Sequence, residues 1–289
     1  VDGFRLDAAK HLIEDGPPLA NTPATQAWLQ GFRDRVLAVD PDAMLVGEVW
    51  DATSVSSAYV RDGALDMTFG FDLAAATLSA IRLGDATSLA QVQADASAAY
   101  PADGLATFLT NHDQDRVMDV LGRDVDAAAL AGTLLLTSAG VPFIYYGEEL
   151  GMRGRKPDED IRTPLAWDMT EPGRGFTTGE PWEPFAPGVE SATVAGQTGD
   201  PASLFSHYRS LIALRAAHPA LRSGSVTQMT ELTRGIHAYL RADGDEIIAV
   251  IANAGLTMAA IYRLRRSTTI ASEAGSIIGL VIPLAVLAL

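Results

Sequence analysis

The 289-residue chain carries 21 Lys and Arg against 36 Asp and Glu, a formal charge of −15, and contains no cysteine. That length allows about two domains with a sizeable core, and 48% hydrophobic residues exclude a fibrous or disordered chain. The negative balance repels nucleic acid and anionic membrane faces, while the missing cysteines remove disulfides, thiolate metal sites and cysteine nucleophiles.

In chain order, residues 1–6 (VDGFRL) read as a strand with no Met and no polar lead-in before it. The sequence is therefore expected to be the C-terminal piece of a longer protein, with any targeting signal upstream of Val1. Localisation stays open, since large secreted domains manage without disulfides as cytoplasmic ones do. Residues 24–39 place Trp28, Phe32 and Val36 four apart, a helical spacing. After the breaker Asp40-Pro41-Asp42, residues 43–46 form a compact apolar run, predicted as the second strand. Residues 66–71 are predicted as a third strand and 105–110 as a fourth. A buried helix is expected over 125–137, then a fifth strand over 141–146 between Gly140 and Gly147. Residues 148–199 are rich in Gly, Pro, Trp and charge, and such a long loop is expected to be functional. It follows the C-terminal end of a strand, where α/β barrels carry binding loops. A helix over 200–217 aligns Leu204, Tyr208, Leu211 and Arg215, with Asp200-Pro201 as its start signal. Strand and helix alternating in this way predict parallel βαβ units.

From residue 225 the texture changes. Residues 235–241 and 246–252 alternate like antiparallel strands around Ala242-Asp243-Gly244-Asp245, a turn signal. The expected division is therefore residues 1–224 as an α/β part and 225–289 as a small all-β domain. The apolar run 277–289 is too short for a membrane span, which takes about 20 residues. It is expected to give a closing strand over 281–289, with Arg263 to Arg266 before it as the one feature favouring a membrane anchor.

Three strand ends carry candidate chemistry. Arg5 and Asp7 are two apart, so on a strand they share a face. A guanidinium beside a carboxylate keeps the acid ionised, as a nucleophile or metal ligand requires. The same spacing also describes a structural ion pair. Glu48 ends the second strand beside Trp50 and apolar residues, surroundings expected to raise a carboxyl pKa as a general acid needs. Alone it would read as a surface Glu. The fourth strand ends in Thr110-Asn111-His112-Asp113-Gln114-Asp115, a dense polar cluster. Asp7, Glu48 and Asp113 on one sheet end meet the requirement of retaining glycoside hydrolysis, which uses two carboxylates about 5–5.5 Å apart. Zinc is disfavoured, because the five His include no H-E-x-x-H pattern, and no residue is assigned to a metal.

The segments Gly3-Phe4-Arg5-Leu6-Asp7-Ala8-Ala9-Lys10-His11, Gly47-Glu48-Val49-Trp50 and Phe108-Leu109-Thr110-Asn111-His112-Asp113 resemble, in order, three conserved regions of the α-amylase family of glycoside hydrolases, family 13. Gly140 to Glu149 resembles that family's eighth barrel strand, and Asp160-Ile161-Arg162-Thr163-Pro164 through Trp167-Asp168 resembles the following substrate-side loop of its α-glucosidase and bacterial α-amylase branches. The resemblance covers about residues 1–225. It implies a partial (β/α)8 TIM barrel, strands four to eight, followed by an all-β domain. It also implies a nucleophile at Asp7, an acid/base at Glu48, and a hydroxyl-binding acid at Asp113. Arg5 would orient Asp7, His112 would bond the same sugar, and Lys10 and His11 would face the leaving-group side. Trp50 and Trp167 are candidates for stacking on sugar faces, and equally for packing.

The family's first conserved region and its inserted domain after the third strand have no counterpart here. The chain alone is accordingly expected to be inactive. The implied substrate is a starch-like α-glucan or maltooligosaccharide. No cofactor is expected in this fragment, although the resemblance leaves room for calcium in a complete enzyme. Ala8 after Asp7 points to α-1,4 linkages. The alternatives are α-1,6 cleavage, transglycosylation, or a non-catalytic relative like the transporter-associated heavy chains; the last would have lost its acids.

Overall fold

The computed structural model describes residues 1–229 and 232–264, together with the backbone of 282–285. Its first half is a parallel sheet of β1 (Gly3–Leu6), β2 (Met44–Gly47), β3 (Met67–Phe69), β4 (Leu105–Thr107) and β5 (Val141–Pro142), ordered in space as in the chain. Sequential order with helical crossovers is the arc of a (β/α)-barrel. It is open at β1 and β5. Gly3 sits where any Cβ would lie 2.2 Å from the Met44 carbonyl oxygen, so β1 and β2 approach as closely as they do only with glycine there.

The helices of this half are α1 (Pro23–Val39), α2 (Thr53–Arg61), α3 (Phe71–Leu83), α4 (Thr87–Ala99), α5 (Val117–Val120) and α6 (Val125–Thr137). They are followed by α7 (Asp158–Ile161), α8 (Val194–Thr198), α9 (Leu204–Ala217) and α10 (Pro219–Arg222). Helix α1 begins with Thr22 accepting from the Thr25 amide at 3.0 Å and Pro23 in its first turn. Helix α6 is buried along nearly its whole length, as its apolar run predicts. The predicted start of α9 is displaced: Asp200 bonds the Ala202 amide in a turn, and Ser203 is the residue that caps the helix. Helices α2, α3 and α4 were not among the predicted elements.

The predicted strands are trimmed at their C-terminal ends. Residues 70–71 leave the third strand because Phe71 opens α3. The predicted 105–110 ends at Thr107, and the predicted 141–146 shortens to Val141–Pro142 at the sheet edge, with one further ladder bond from Phe143 N to Thr107 O at 2.7 Å. The stretch 148–199 contains α7, α8 and two single 3-10 turns, so it is a folded excursion rather than a bare loop.

The second half is an antiparallel sheet of β6 (Ser225–Gln228), β7 (Ile236–Asp243), β8 (Glu246–Asn253), β9 (Met258–Leu264) and β10 (Ile282–Ala285). Asp243 faces Glu246 across a two-residue turn in which Gly244 takes φ 56°, one place beyond the centre of the predicted turn. The backbone of β10 pairs with β9; the other residues of the predicted 281–289 strand lie outside the described ones. Among the described residues no helix is long and apolar enough to cross a membrane.

One core joins the halves: Leu130, Leu134, Tyr208 and Leu211 of the helical layer pack with Tyr239, Ile248 and Val250 of the second sheet. Two buried arginines tie the seam. Arg215 donates to the carbonyls of Leu136 and Ser138 at 2.9 and 3.0 Å, and Arg241 to those of Thr137 and Gly224 at 2.7 and 2.9 Å. Most of these acceptors are the end carbonyls of α6, which a helix leaves without internal partners.

Candidate active site

The parallel sheet delivers its polar residues just beyond the C-terminal ends of β1, β2 and β4. The ladder between β1 and β2 continues past the strands, with the Glu48 amide donating to Leu6 O and the Ala9 amide to Glu48 O, both at 2.9 Å. Between them Ala8 takes φ 42°, a left-handed conformation that costs a non-glycine residue energy and is often found where a site imposes it. This reversal leaves Asp7 projecting into solvent beside Glu48.

Arg5 bridges the two acids. Its Nη1 donates to Asp7 Oδ1 at 2.6 Å and its Nη2 to Glu48 Oε2. Hydrogen bonding to Arg5 and the charge of its guanidinium hold the Asp7 carboxyl below the usual carboxylate range. Glu48 is more enclosed, with 13% of its side chain exposed against 75% for Asp7. It lines a cavity of about 210 Å3 together with Arg5, Phe69, Phe108, His112 and Phe143. The apolar surroundings expected for Glu48 are thus present as phenylalanine walls, with a cation added. Those walls interlock: Phe69 meets Phe108 and Phe143 edge-on at 5.5 and 5.1 Å, and Trp50 stacks on Phe71 at 4.6 Å.

Asp113 comes from the loop after β4. The Asn111 side chain accepts from the Asp113 amide at 2.9 Å, a tight local turn that aims the carboxylate. His112 Nε2 lies 3.3 Å from Asp113 Oδ2, and Arg162 donates to Asp113 Oδ1 at 2.8 Å and to the His112 carbonyl at 2.9 Å. Sequence reasoning assigned Arg162 no role. Its motif was visible, but nothing in spacing places residue 162 on residue 113.

The structure therefore gathers Arg5, Asp7, Glu48, His112 and Asp113 at one sheet end. Lys10 and His11 face other partners: Lys10 Nζ donates to Trp50 O at 2.5 Å and pairs with Asp51 at 3.2 Å, while His11 Nδ1 lies 3.0 Å from Leu19 O. Trp50 and Trp167 are each about half exposed. Among the described residues no three His, Asp or Glu side chains gather as a metal site would require.

Behind the site lies a second polar cluster. Glu148 is buried, accepts from the Tyr208 hydroxyl at 2.8 Å, and is pushed up to about 8 by burial. Arg116, also buried, donates to Tyr146 O at 2.7 Å and lies 4.6 Å from the ring centres of both Tyr145 and Tyr146.

Open parallel sheet, helical crossovers and acids at the C-terminal strand ends define a chain of the (β/α)-barrel enzyme class. The profile of the family described as "Alpha amylase, catalytic domain" matches residues 1–224. Alpha-amylase 3 of Dictyoglomus thermophilum is 34% identical over 259 residues, covering 88% of this chain and 50% of its own length. Trehalose-6-phosphate hydrolase of Bacillus subtilis is 30% identical, covering 88% and 56%. The crystal structure of the α-amylase from H. orenii superposes with a TM-score of 0.76 at 33% identity, over 88% of this chain and 51% of that one. The chain belongs to the α-amylase family of glycoside hydrolases. It spans about half the length of the curated relatives it matches.

Proposed function

We propose that these residues cleave α-glucosidic bonds of starch-like oligosaccharides with retention, through a covalent glycosyl-enzyme. The observation that carries this reading is the single guanidinium shared by Asp7 and Glu48. It holds two carboxyls close, the arrangement of the retaining class, whose separation is about 5–5.5 Å. Asp7, ionised and open to solvent, attacks the anomeric carbon. Glu48 gives up its Arg5 contact and takes up a proton from solvent as substrate enters, then donates that proton to the glycosidic oxygen as the bond breaks. It then takes a proton from the water that releases the sugar from Asp7. Asp113 and His112 bond the hydroxyls of the sugar being cleaved, and Arg162 fixes Asp113 for that purpose. Ala8 after the nucleophile favours α-1,4 linkages. A relative named oligo-1,6-glucosidase and a solved trehalulose synthase make α-1,6 cleavage and transglycosylation the second reading.

The active unit in this proposal is a closed barrel. An open parallel sheet exposes strand edges and an apolar inner face that closure would cover. At about 25 cal/mol per Å2, each 100 Å2 of apolar surface left in water forfeits about 2.5 kcal/mol. Phe4 and Trp28, 42% and 44% exposed beside the β1 edge, are surface of this kind. Residues 1–289 alone are thus expected to lack activity, and turnover by the isolated chain that Asp7→Asn removes would contradict this. The deciding assay gives the closed-barrel protein maltooligosaccharides and isomaltose, with products resolved by size. Cleavage of the former is expected, and cleavage of neither would refute the hydrolase reading.

A further inference from the structure

We propose that Arg116, acting through Tyr145 and Tyr146, is a positioning residue that sets the Arg162 clamp on Asp113; this rests on the sugar-binding role proposed for Asp113 above. Arg162 leaves the excursion at a point held on both flanks. The Tyr145 hydroxyl donates to the Ile161 carbonyl at 3.0 Å and the Tyr146 hydroxyl to the Thr163 carbonyl at 2.7 Å. Two adjacent tyrosines thus grip the backbone one residue before and one residue after Arg162. With both carbonyls fixed, the Arg162 side chain starts from a defined place to reach Asp113 Oδ1 and the His112 carbonyl. Tyr145 also lines the cavity that holds Arg5, Glu48 and His112, so the grip extends to the wall of the site.

Arg116 sets the tyrosines in turn. It is 2% exposed, its guanidinium lies 4.6 Å from both ring centres, and its Nη1 donates to Tyr146 O at 2.7 Å. The rings stand at 69° to each other with centres 4.8 Å apart, so one cation fixes both. The attraction of a guanidinium to an aromatic face grows when water is excluded, and a planar fork can meet two rings and a carbonyl where an ammonium cannot. Arg215 spends its donors on four backbone carbonyls, as a structural arginine should. Arg116 spends one on a carbonyl, and its Nε and Nη2 find no hydrogen-bond partner among the described residues. Its place in the chain joins the same parts. It follows Asp113 by three residues, its amide donates to Gly154 O at 2.9 Å, and Asp115 accepts from the Lys156 amide at 2.8 Å. The loop carrying Asp113 is therefore laid against the start of the excursion that carries Arg162. Glu148 turns the other way, to Tyr208 of α9, so Arg116 belongs by its contacts to the catalytic end.

The test is a double-mutant cycle in the closed-barrel protein. Tyr145→Phe with Tyr146→Phe removes both hydroxyls and keeps both rings, so the contact with Arg116 and the fold are retained. The expected result is a fall of about tenfold in kcat/KM, less than that of Arg162→Ala because the clamp is loosened rather than removed. The fall should be equal on maltooligosaccharides and aryl glucosides, since Asp113 serves the sugar and not the leaving group. In an Arg162→Ala background the tyrosine pair should cost nothing further, whereas a merely structural role would give additive losses. Arg116→Lys, which keeps the charge and loses the plane, should show the same coupling. Additive losses in either cycle, or unchanged kcat/KM in the tyrosine pair, would overturn the proposal. The cycle is repeated with the dissociation constant of maltotriose for the Asp7→Asn protein, which reads sugar binding without turnover. Coupling in that constant, with no cleavage by the parent protein, would support the frame and refute the hydrolase reading. Cleavage with additive losses would do the reverse, and neither binding nor cleavage would overturn both.

Discussion

The molecule handles charge in opposite ways at its two sides. At the catalytic end, Arg5, Asp7, Glu48, Asp113 and Arg162 pair with one another and keep contact with water. At the seam between the sheets, Arg215 and Arg241 are buried and donate to backbone carbonyls. A buried cation held by carbonyls that the fold must satisfy anyway is structural. Carboxylates left close together and accessible gain little stability from their pairing, so their placement makes sense as chemistry. Substitutions at the first side should therefore cost activity, and those behind it should move stability.

The largest expected effect is that of Asp7→Asn in the closed-barrel protein. Without a nucleophile, turnover should fall by on the order of 10,000-fold or more while substrate still binds. Near-normal turnover would dissolve the contrast between the two sides. Glu48→Gln should cost about 100- to 10,000-fold on maltooligosaccharides, yet much less on aryl glucosides whose leaving group needs no proton. Equal losses on both substrates would remove the acid role.

Arg162→Ala tests whether Asp113 needs its clamp. Loss of the 2.8 Å contact frees the carboxylate, and a loosely held binding group costs about 100-fold in kcat/KM when it is displaced by about 1 Å. The fold should survive, because the Arg162 side chain is 38% exposed. A fall in melting temperature with unchanged kcat/KM would place Arg162 with the structural charges.

The smallest effect concerns the cluster behind the site. Glu148 has an ordinary value of 4.5 and about 8 in the fold, so the native state holds its proton where the unfolded chain has lost it. Stability from this group is full below about 4.5 and declines as pH rises towards 8. Glu148→Gln can still accept from Tyr208 and should flatten that decline, raising the melting temperature at pH 8 by about a few degrees and leaving that at pH 4 unchanged. An equal shift at both pH values would disprove the buried, protonated state.

Much of this was legible in the sequence. The parallel order followed from alternating strand and helix signals, α6 from its unbroken apolar run, and Arg5 beside Asp7 from the two-residue period of a strand. Helix α4 was not legible because its Ser-, Thr- and Ala-rich faces give weak periodicity, and α2 because its nine residues are fewer than the span over which a helical period is read. The sharing of Arg5 between Asp7 and Glu48 depends on the register between β1 and β2, which no local pattern carries. The Arg162 clamp is a contact across 49 residues, set by how the excursion folds back on the sheet. Strand ends were overestimated at β3, β4 and β5, where the chain leaves the ladder to open a helix or build the site.

The most direct test of the central claim is to trap the glycosyl-enzyme. The closed-barrel protein is incubated with a 5-fluoroglucosyl fluoride, which forms the covalent intermediate but slows its release, and its peptides are then weighed by mass spectrometry. One added fluoroglucosyl group on the peptide containing Asp7, absent from Asp7→Asn, is the expected result. A label on another carboxylate, or full inactivation with no covalent label, would contradict Asp7 as the nucleophile.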